Sequence, residues 1–188
     1  MPFTVPSPRA PFDGGAAQWY RSELGWAATD GRPVRLTTGV RFDVLDLPAD
    51  AGAAVLRRIA RTGPVALMGR RMRLLVAPGS AEELPGLLDW LEWGGVDLDM
   101  TALGAGGAMT APPPPGRPGT RPAAMWLRPS GAGARGTAAR SRRPRGSGIA
   151  PDLVRLVETA ATECHRARLT RTARANTRRA TSQPLAFS

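Results

Sequence analysis

The sequence predicts an α+β domain with a small mixed, mainly antiparallel sheet and two helices on one face, followed by a disordered linker and a C-terminal helix. Three observations favour this fold class. Large apolar residues, including four of the five Trp, precede Pro112. In that part of the chain, strand-like and helix-like periodicities alternate. After Pro112 the chain is dominated by Pro, Gly, Ala and Arg, a composition that buries too little apolar surface to offset the entropy lost on folding.

The first half of the predicted domain contains a helix, a strand and a second helix. Residues 16–24 carry apolar side chains at helical spacing, and Gly25 is a typical helix stop. Residues 40–47 alternate as a strand does, and Pro48 ends this strand because proline cannot donate to a sheet ladder. An amphipathic helix is predicted over residues 50–61.

The second half begins with a hairpin, in which residues 65–68 and 72–77 are the two strands. A helix follows, and its start is marked by Ser80 and Glu83. These two residues form a capping-box pattern, in which each side chain accepts a hydrogen bond from the other residue's backbone amide. Two further strands are predicted, at residues 96–103 and 105–111.

The resulting order contains β-α-β-β-α-β, the split βαβ arrangement of ferredoxin-like and RRM-like domains. The apolar island at residues 123–127 is expected to add an edge strand to the sheet. The predicted organisation is a flexible arm at 1–15, an α/β domain at 16–128, a disordered linker at 129–150, a C-terminal helix at 151–175 and a flexible tail at 176–188.

Positive charge is concentrated in the C-terminal part of the chain. Residues 1–116 hold 11 Arg and 12 acidic residues, residues 117–188 hold 15 Arg and 3 acidic residues, and the chain contains no Lys. Guanidinium groups suit two-pronged contacts with phosphate, so the Arg-rich tail indicates DNA or RNA as a partner. The alternative is a tail that is merely solvated. In that case the Arg content reflects a GC-rich genome, whose codons favour Arg over Lys, and not a binding function.

Several classes of protein are disfavoured by what the sequence lacks. A single cysteine, Cys164, excludes an internal disulfide, and a single histidine, His165, excludes the familiar Cys/His zinc sites. The first residues have neither the charged nor the apolar region of a secretory signal. No apolar run reaches the length that spans a bilayer. We therefore expect a cytoplasmic protein without a membrane partner.

Two pairs of aspartates lie on or beside predicted strands. Asp43 and Asp46 are three residues apart and should face opposite sides of a strand, whereas Asp97 and Asp99 should share one side. Carboxylates that converge from neighbouring strands supply the oxygen ligands that Mg²⁺ or Mn²⁺ takes. The alternative is that these aspartates cap helices or stabilise turns.

Four stretches share a pattern with a known family. They are Ala17 to Trp26, which ends in Gly-Trp; Thr38-Gly39 followed by Val44-Leu45-Asp46-Leu47; Arg71 to Pro78; and Gly95-Val96-Asp97-Leu98 followed by Gly106-Gly107 and Pro112-Pro113. In this order, over roughly residues 16–115, they resemble the N-terminal Prim-Pol domain of bifunctional DNA primase-polymerases, a branch of the archaeo-eukaryotic primase superfamily. The resemblance implies catalytic carboxylates at Asp46 and Asp97, with Asp99 as a further metal ligand, and Mg²⁺ or Mn²⁺ if the domain is active.

Two positions depart from the family's pattern. Pro48 replaces a second metal-binding aspartate. Arg73, or Met72 if the register shifts by one, stands where the family has a nucleotide-binding histidine, and Arg73 is predicted to bind phosphate as a cation. These losses predict a degenerate, non-catalytic relative that binds nucleic acid or a partner. Two alternatives remain open: a residual metal-dependent DNA primase or polymerase that uses the three aspartates, and a protein-interaction adaptor that docks through a helix at 151–169.

Overall fold

The computed structural model describes residues 14–114, 124–128 and 150–181. The predicted arm, except for its last two residues, lies outside these ranges. So does the predicted linker, except for its final residue, and so does the tail beyond residue 181.

Four helices and eight strands are present in the described residues. The helices are α1 (Gly14–Leu24), α2 (Ala49–Arg58), α3 (Ser80–Trp90) and α4 (Ala150–Thr181). The strands are β1 (Ala28–Thr29), β2 (Arg35–Thr37), β3 (Asp43–Pro48), β4 (Val65–Met68), β5 (Arg71–Val76), β6 (Thr101–Leu103), β7 (Ala108–Thr110) and β8 (Ala124–Arg128).

The larger sheet is antiparallel and has the strand order β6-β3-β5-β4-β8. The connections through α2 and α3 each skip one strand, since β5 lies between β3 and β4, and β3 lies between β5 and β6. This is the predicted split βαβ arrangement. Strands β4 and β5 form the predicted hairpin, with Gly69 at a φ of 59° in its turn. Strand β8 occupies one edge, so the predicted α+β class and the edge strand are both confirmed.

The second sheet was not predicted. It contains three antiparallel strands in the order β1-β2-β7, so β7 leaves the sheet that β6 belongs to. The turn between β6 and β7 is held by Thr38, whose hydroxyl donates to the Gly104 carbonyl oxygen at 2.6 Å and whose amide donates to the Gly107 carbonyl oxygen at 3.0 Å. These contacts between residues far apart in the chain redirect β7 toward β2, which strand periodicity alone does not reveal.

The core has two parts, one on each side of the larger sheet. On one side, α4 joins the two predicted helices α2 and α3, and its residues Leu156, Val157 and Ala160 are buried against the sheet. On the other side, Tyr20 of α1, Leu36 of β2 and neighbouring apolar residues form the second cluster. The C-terminal helix is therefore a structural part of the domain, and it runs beyond the predicted end at residue 175 to Thr181.

Tyr20 ties three distant segments together. Its hydroxyl donates to the Pro112 carbonyl oxygen at 2.6 Å and accepts from Nε1 of Trp126 at 2.8 Å. Burial raises the pKa of Tyr20 to about 12, and the hydrogen bond from Trp126 offsets only part of that effect. The phenol thus stays protonated and attaches α1 to the chain after β7 and to the edge strand β8.

The predicted capping box at the start of α3 is wrong. Ser80 is the first helical residue, the preceding Gly79 is left-handed at a φ of 92°, and the cap position makes no side-chain hydrogen bond. Instead, Oδ2 of the fully buried Asp43 accepts from the Ala81 amide at 2.9 Å. A carboxylate 38 residues away therefore takes the capping role that the local pattern assigned to Ser80 and Glu83.

None of the helices that the structure describes is both long enough and apolar enough to cross a membrane.

Candidate functional site

The predicted site residues of β3 and β5 are positioned by one antiparallel ladder. Asp46 pairs with Arg73 across the two strands, and Pro48 pairs with Arg71. Because side chains alternate along a strand, Asp46, Arg71 and Arg73 lie on one face of the sheet, opposite the face on which Asp43 reaches α3. The predicted separation of the two aspartates onto opposite faces is therefore seen in the structure.

The Asp46 carboxylate is held by both arginines. Its Oδ1 accepts from Nε of Arg71 at 2.5 Å, and its Oδ2 accepts from Nε of Arg73 at 2.8 Å. The Asp46 side chain is only 10% exposed. A carboxylate in this setting is neutralised by two guanidinium groups, which is the arrangement that makes a largely buried charge tolerable.

Asp99 joins the same network through Arg71. Nη1 of Arg71 donates to Oδ1 of Asp99 at 2.6 Å. Burial alone would lower the pKa of Arg71, but the hydrogen bonds and charges of Asp46 and Asp99 outweigh it and leave that pKa raised. Arg71 is therefore a permanently charged bridge between two of the predicted metal ligands.

The C-terminal helix closes the network from outside. Arg171 of α4 lies 3.2 Å from the Asp50 carboxylate and 3.5 Å from that of Asp99. A cavity of about 490 Å³ opens beside these side chains, and Gly69 and Arg70 of the β4–β5 turn also line it. Around the predicted residues Asp46, Arg73 and Asp99, the structure thus brings together three cations and three carboxylates in alternating contact. Its charged members are Asp46, Arg71, Arg73, Asp99, Arg171 and Asp50, and we call them the charge network.

Asp97 lies outside the charge network. Its side chain is 79% exposed and pairs with Nη1 of Arg168 at 2.8 Å, and the same guanidinium donates to the Asp97 backbone carbonyl. The predicted strand over residues 96–103 is wrong in its first half, since β6 begins at Thr101 and Asp99 has a left-handed φ of 53°. Asp97 and Asp99 therefore sit in a loop and take different arginine partners.

The geometry of the described carboxylates is that of ion pairs. Within the described ranges, no group of three or more His, Cys, Asp or Glu side chains is arranged to hold a metal ion. The structure brings Asp46 and Asp99 to one guanidinium and leaves Asp97 apart. This donor set does not fit a shared Mg²⁺ or Mn²⁺ centre as it stands. The catalytic and metal-binding roles of Asp46, Asp97 and Asp99 stay predictions.

Arg73 is the predicted phosphate-binding residue, and its guanidinium is largely enclosed. The side chain is 20% exposed, Nε is bound to Asp46, and Nη1 is buried without a hydrogen-bond partner among the described residues. Contact with a phosphate would require the Asp46–Arg73 pair to open. The phosphate-binding role of Arg73 stays a prediction.

Two of the quoted motifs meet in the structure. A Cβ added at Gly39, which has a φ of 86°, would lie 2.3 Å from the Ala105 Cα, and one added at Gly107 would lie 2.7 Å from the Thr38 hydroxyl. Thr38-Gly39 and the glycine-rich turn therefore need their glycines for close backbone packing. The turn has a structural role here, since it links the two sheets.

Arg71, Asp50 and Arg171 were not predicted as members of the charge network. The sequence contained one signal for Arg71. Arg71 and Arg73 are two residues apart on a predicted strand, so their side chains lie on the same face and can both reach an acid on the neighbouring strand. No comparable local signal identifies Arg171, which lies 121 residues from Asp50.

Comparisons of the chain with protein-family models, with curated proteins and with solved structures find no match. The resemblance to primase-polymerases therefore stays a prediction.

Proposed function

We propose that this chain is a nucleic-acid-binding protein, built on a degenerate primase-polymerase-like domain that no longer transfers nucleotides. The observation that carries the proposal is the second half of α4. After Glu163 the helix contains no acidic residue, and it carries a series of arginines whose described side chains are exposed or partly exposed. They are Arg166, Arg168, Arg171, Arg174 and Arg178.

The two halves of α4 have different environments. The buried side chains of the helix lie between Leu153 and Cys164, whereas every residue from Thr172 to Arg178 is exposed. This exposed segment makes up about 10 Å of helix at 1.5 Å per residue. The exposed segment contains arginines and no acidic residue, so it is suited to contact a polyanion.

The arginines of α4 fall into two groups by position. Arg168 and Arg171 pair with Asp97 and Asp50, which lie outside the helix, so these two arginines anchor it to the domain. Arg166 pairs with Glu163 one turn earlier in the same helix. Arg174 and Arg178 lie further along, three and seven residues after Arg171, on the exposed segment. Their separation of four residues places them on one side of the helix. These two arginines are the proposed phosphate contacts.

The charge network supports the non-catalytic part of the proposal. Transfer of a nucleotide by two metal ions needs carboxylates that are free to hold both ions. Here Asp46 is bound by two arginines and Asp99 by Arg71 and Arg171. Pro48 supplies no ligand atom at the position where the resemblance implies a second aspartate.

The adaptor alternative has less support. It requires the apolar stripe of the C-terminal helix to be available to a partner protein. In the described residues, Leu153, Leu156 and Val157 of that stripe are buried within the core cluster of the domain. The exposed part of α4 is its polar, Arg-rich end, which is not the apolar surface that the adaptor requires.

The proposal is tested by fluorescence anisotropy with labelled single- and double-stranded oligonucleotides and the full chain. We expect binding at low salt, a steep fall of affinity with added salt, and a loss of affinity in the double variant Arg174→Ala/Arg178→Ala. Because two phosphate contacts are removed, the slope of log K against log salt should fall by about 2.

The matched control is Arg35→Ala/Arg57→Ala, which removes the same charge from exposed positions on β2 and α2. An equal loss in both double variants would show that net charge alone drives binding and would contradict the role of α4. No binding to either oligonucleotide at low salt would contradict the whole proposal. Template-dependent incorporation with Mn²⁺ that disappears in Asp97→Asn would instead support the residual polymerase.

A further inference from the structure

A second cleft lies at the other end of the β3–β5 pair. It has a volume of about 760 Å³, and Phe42, Leu75 and Ala77 line it beside the start of β3 and the end of β5. On the same two strands, Asp46 of the charge network is four residues from Phe42, and Arg73 is two residues from Leu75. At about 3.3 Å per residue, Asp46 and Phe42 are roughly 13 Å apart, and the cleft shares no lining residue with the cavity beside the charge network. The cleft is therefore separate from the predicted site.

Four arginines surround this cleft, and no acidic residue is among the described residues that line it. Arg58 is paired with Glu163 at 3.0 Å. The other three, Arg41, Arg61 and Arg155, have no acidic partner in the part of the chain that the structure describes. Like charges around a concave surface with apolar walls raise the positive potential inside it. The cleft is thus suited to an anion.

The floor of the cleft is apolar and aromatic. Trp26 is partly exposed there, and its ring packs against Phe42 with centroids 4.6 Å apart and lies nearly parallel to the ring of Tyr20 at 6.1 Å. Phe42 and Tyr20 are themselves buried. The ring of Trp126 also packs against this indole, with centroids 6.1 Å apart. The three contacts fix the plane of the indole, and its exposed part lines the cleft as a rigid aromatic surface.

The loop that carries Arg61 is held firmly against β5. The Leu75 amide donates to the Pro64 carbonyl oxygen at 2.9 Å. A Cβ added at Gly63 would lie 2.3 Å from the Leu75 carbonyl oxygen, so the backbone approaches β5 as closely as only glycine permits. Arg61 is therefore presented from a fixed backbone, which lowers the ordering cost of binding.

We infer that this cleft binds a nucleoside triphosphate, with the base stacked on Trp26 and the phosphates held by Arg41, Arg61 and Arg155. The cations match phosphate oxygens, the aromatic floor matches a base, and the volume falls in the usual range for small-molecule sites. This inference goes beyond nucleic-acid binding through α4, since it concerns a different ligand and different residues.

Isothermal titration calorimetry of the full chain with ATP, GTP, CTP and UTP in separate titrations, without divalent metal, tests the inference. We expect at least one of them to bind, and tripolyphosphate to bind more weakly because it has no base. The double variant Arg61→Ala/Arg155→Ala should weaken nucleotide binding about tenfold or more, since two charge-assisted contacts are lost. Arg35→Ala/Arg57→Ala is again the control, because Arg57 lies next to Arg58 but does not line the cleft.

The outcomes separate this inference from the proposed function. Absence of binding by all four nucleotides would overturn it, and so would equal binding of tripolyphosphate, because the indole would then contribute nothing. Loss of nucleotide binding in the cleft variant, with oligonucleotide binding retained, would support it even if the α4 variant behaved like its control. Loss of oligonucleotide binding alone in the cleft variant would assign the cleft to the nucleic-acid surface and overturn the inference.

Discussion

The two ends of the β3–β5 pair differ in whether their arginines are paired with carboxylates. At the end near Pro48, the arginines and carboxylates of the charge network alternate and neutralise one another. At the end near Phe42, Arg41, Arg61 and Arg155 face a cleft without an acidic partner in the described residues. Compensated charges are typical of structural networks, whereas uncompensated charges of one sign in a concavity are typical of ligand sites. The end opposite the predicted site is therefore the better candidate for binding a small anion.

The two aspartates of β3 repeat this difference on a smaller scale. Asp46 lies within the charge network and balances two cations. Asp43 lies at the cleft end, but its carboxylate is fully buried and caps α3 instead of facing the arginines. No acidic side chain is therefore among the described residues that line the cleft, although Asp43 is next to Phe42 in the sequence.

The largest effect should come from removing the central acid of the charge network. Asp46→Ala leaves Arg71 and Arg73 side by side without their shared carboxylate. We expect it to lower the free energy of unfolding by about 2–3 kcal/mol, less than for a fully buried pair because both arginines are partly exposed. Urea unfolding followed by circular dichroism measures the change.

Asp97→Ala is the control for this experiment, since Asp97 is mostly exposed and should contribute less than about 1 kcal/mol. If Asp46→Ala were as mild as Asp97→Ala, or stabilising, the network would not be structural. Asp46 would then contribute nothing to the free energy of unfolding, as expected of a carboxylate that serves as a metal ligand.

A smaller effect is expected from the acid at the cleft end. Asp43→Ala removes the carboxylate that accepts from the Ala81 amide, and loss of such a cap costs about 1–2 kcal/mol. Glu83→Ala should change the free energy of unfolding by no more than about 0.5 kcal/mol, because Glu83 is exposed and the cap of α3 has no side-chain hydrogen bond from it. Equal losses in the two variants, measured by urea unfolding, would restore the capping box and contradict the long-range cap.

The smallest effect should come from the uncompensated cleft. Arg61→Ala removes one of several like charges, so the free energy of unfolding should stay within about 0.5 kcal/mol of the unaltered chain or rise slightly. Thermal and urea unfolding at low and high salt measure this. A loss above about 1 kcal/mol would mean that Arg61 has a counter-charge, and the contrast between the two ends would then fail.

Much of the fold was accessible from the sequence because its signals are local. The alternation in β3, the hairpin across Gly69 and the amphipathic stripes of α2 and α4 each depend on a few consecutive residues. They sufficed to predict the split βαβ order and the edge strand β8. The boundaries were less accurate, since the strand predicted at 96–103 begins only at Thr101.

The candidate site was predictable only in part. Asp46 and Arg73 were both singled out, and they face each other in the ladder. Their mutual contact was not predicted, because the resemblance assigned one to a metal and the other to a phosphate. The second sheet was missed for a related reason, since β7 is directed by contacts of Thr38 with a turn 66 residues away.

Hydrophobic periodicity and breaker residues act over a few positions, so the order of amino acids was enough to set where most helices and strands form. The partner of each charged side chain was settled only when the elements packed together. Asp43 reaches α3 across 38 residues, and Arg171 reaches Asp50 across 121. The physical reason is that charge pairing depends on distance in space. For residues far apart in the chain, that distance is set by folding and cannot be read from their separation in the sequence.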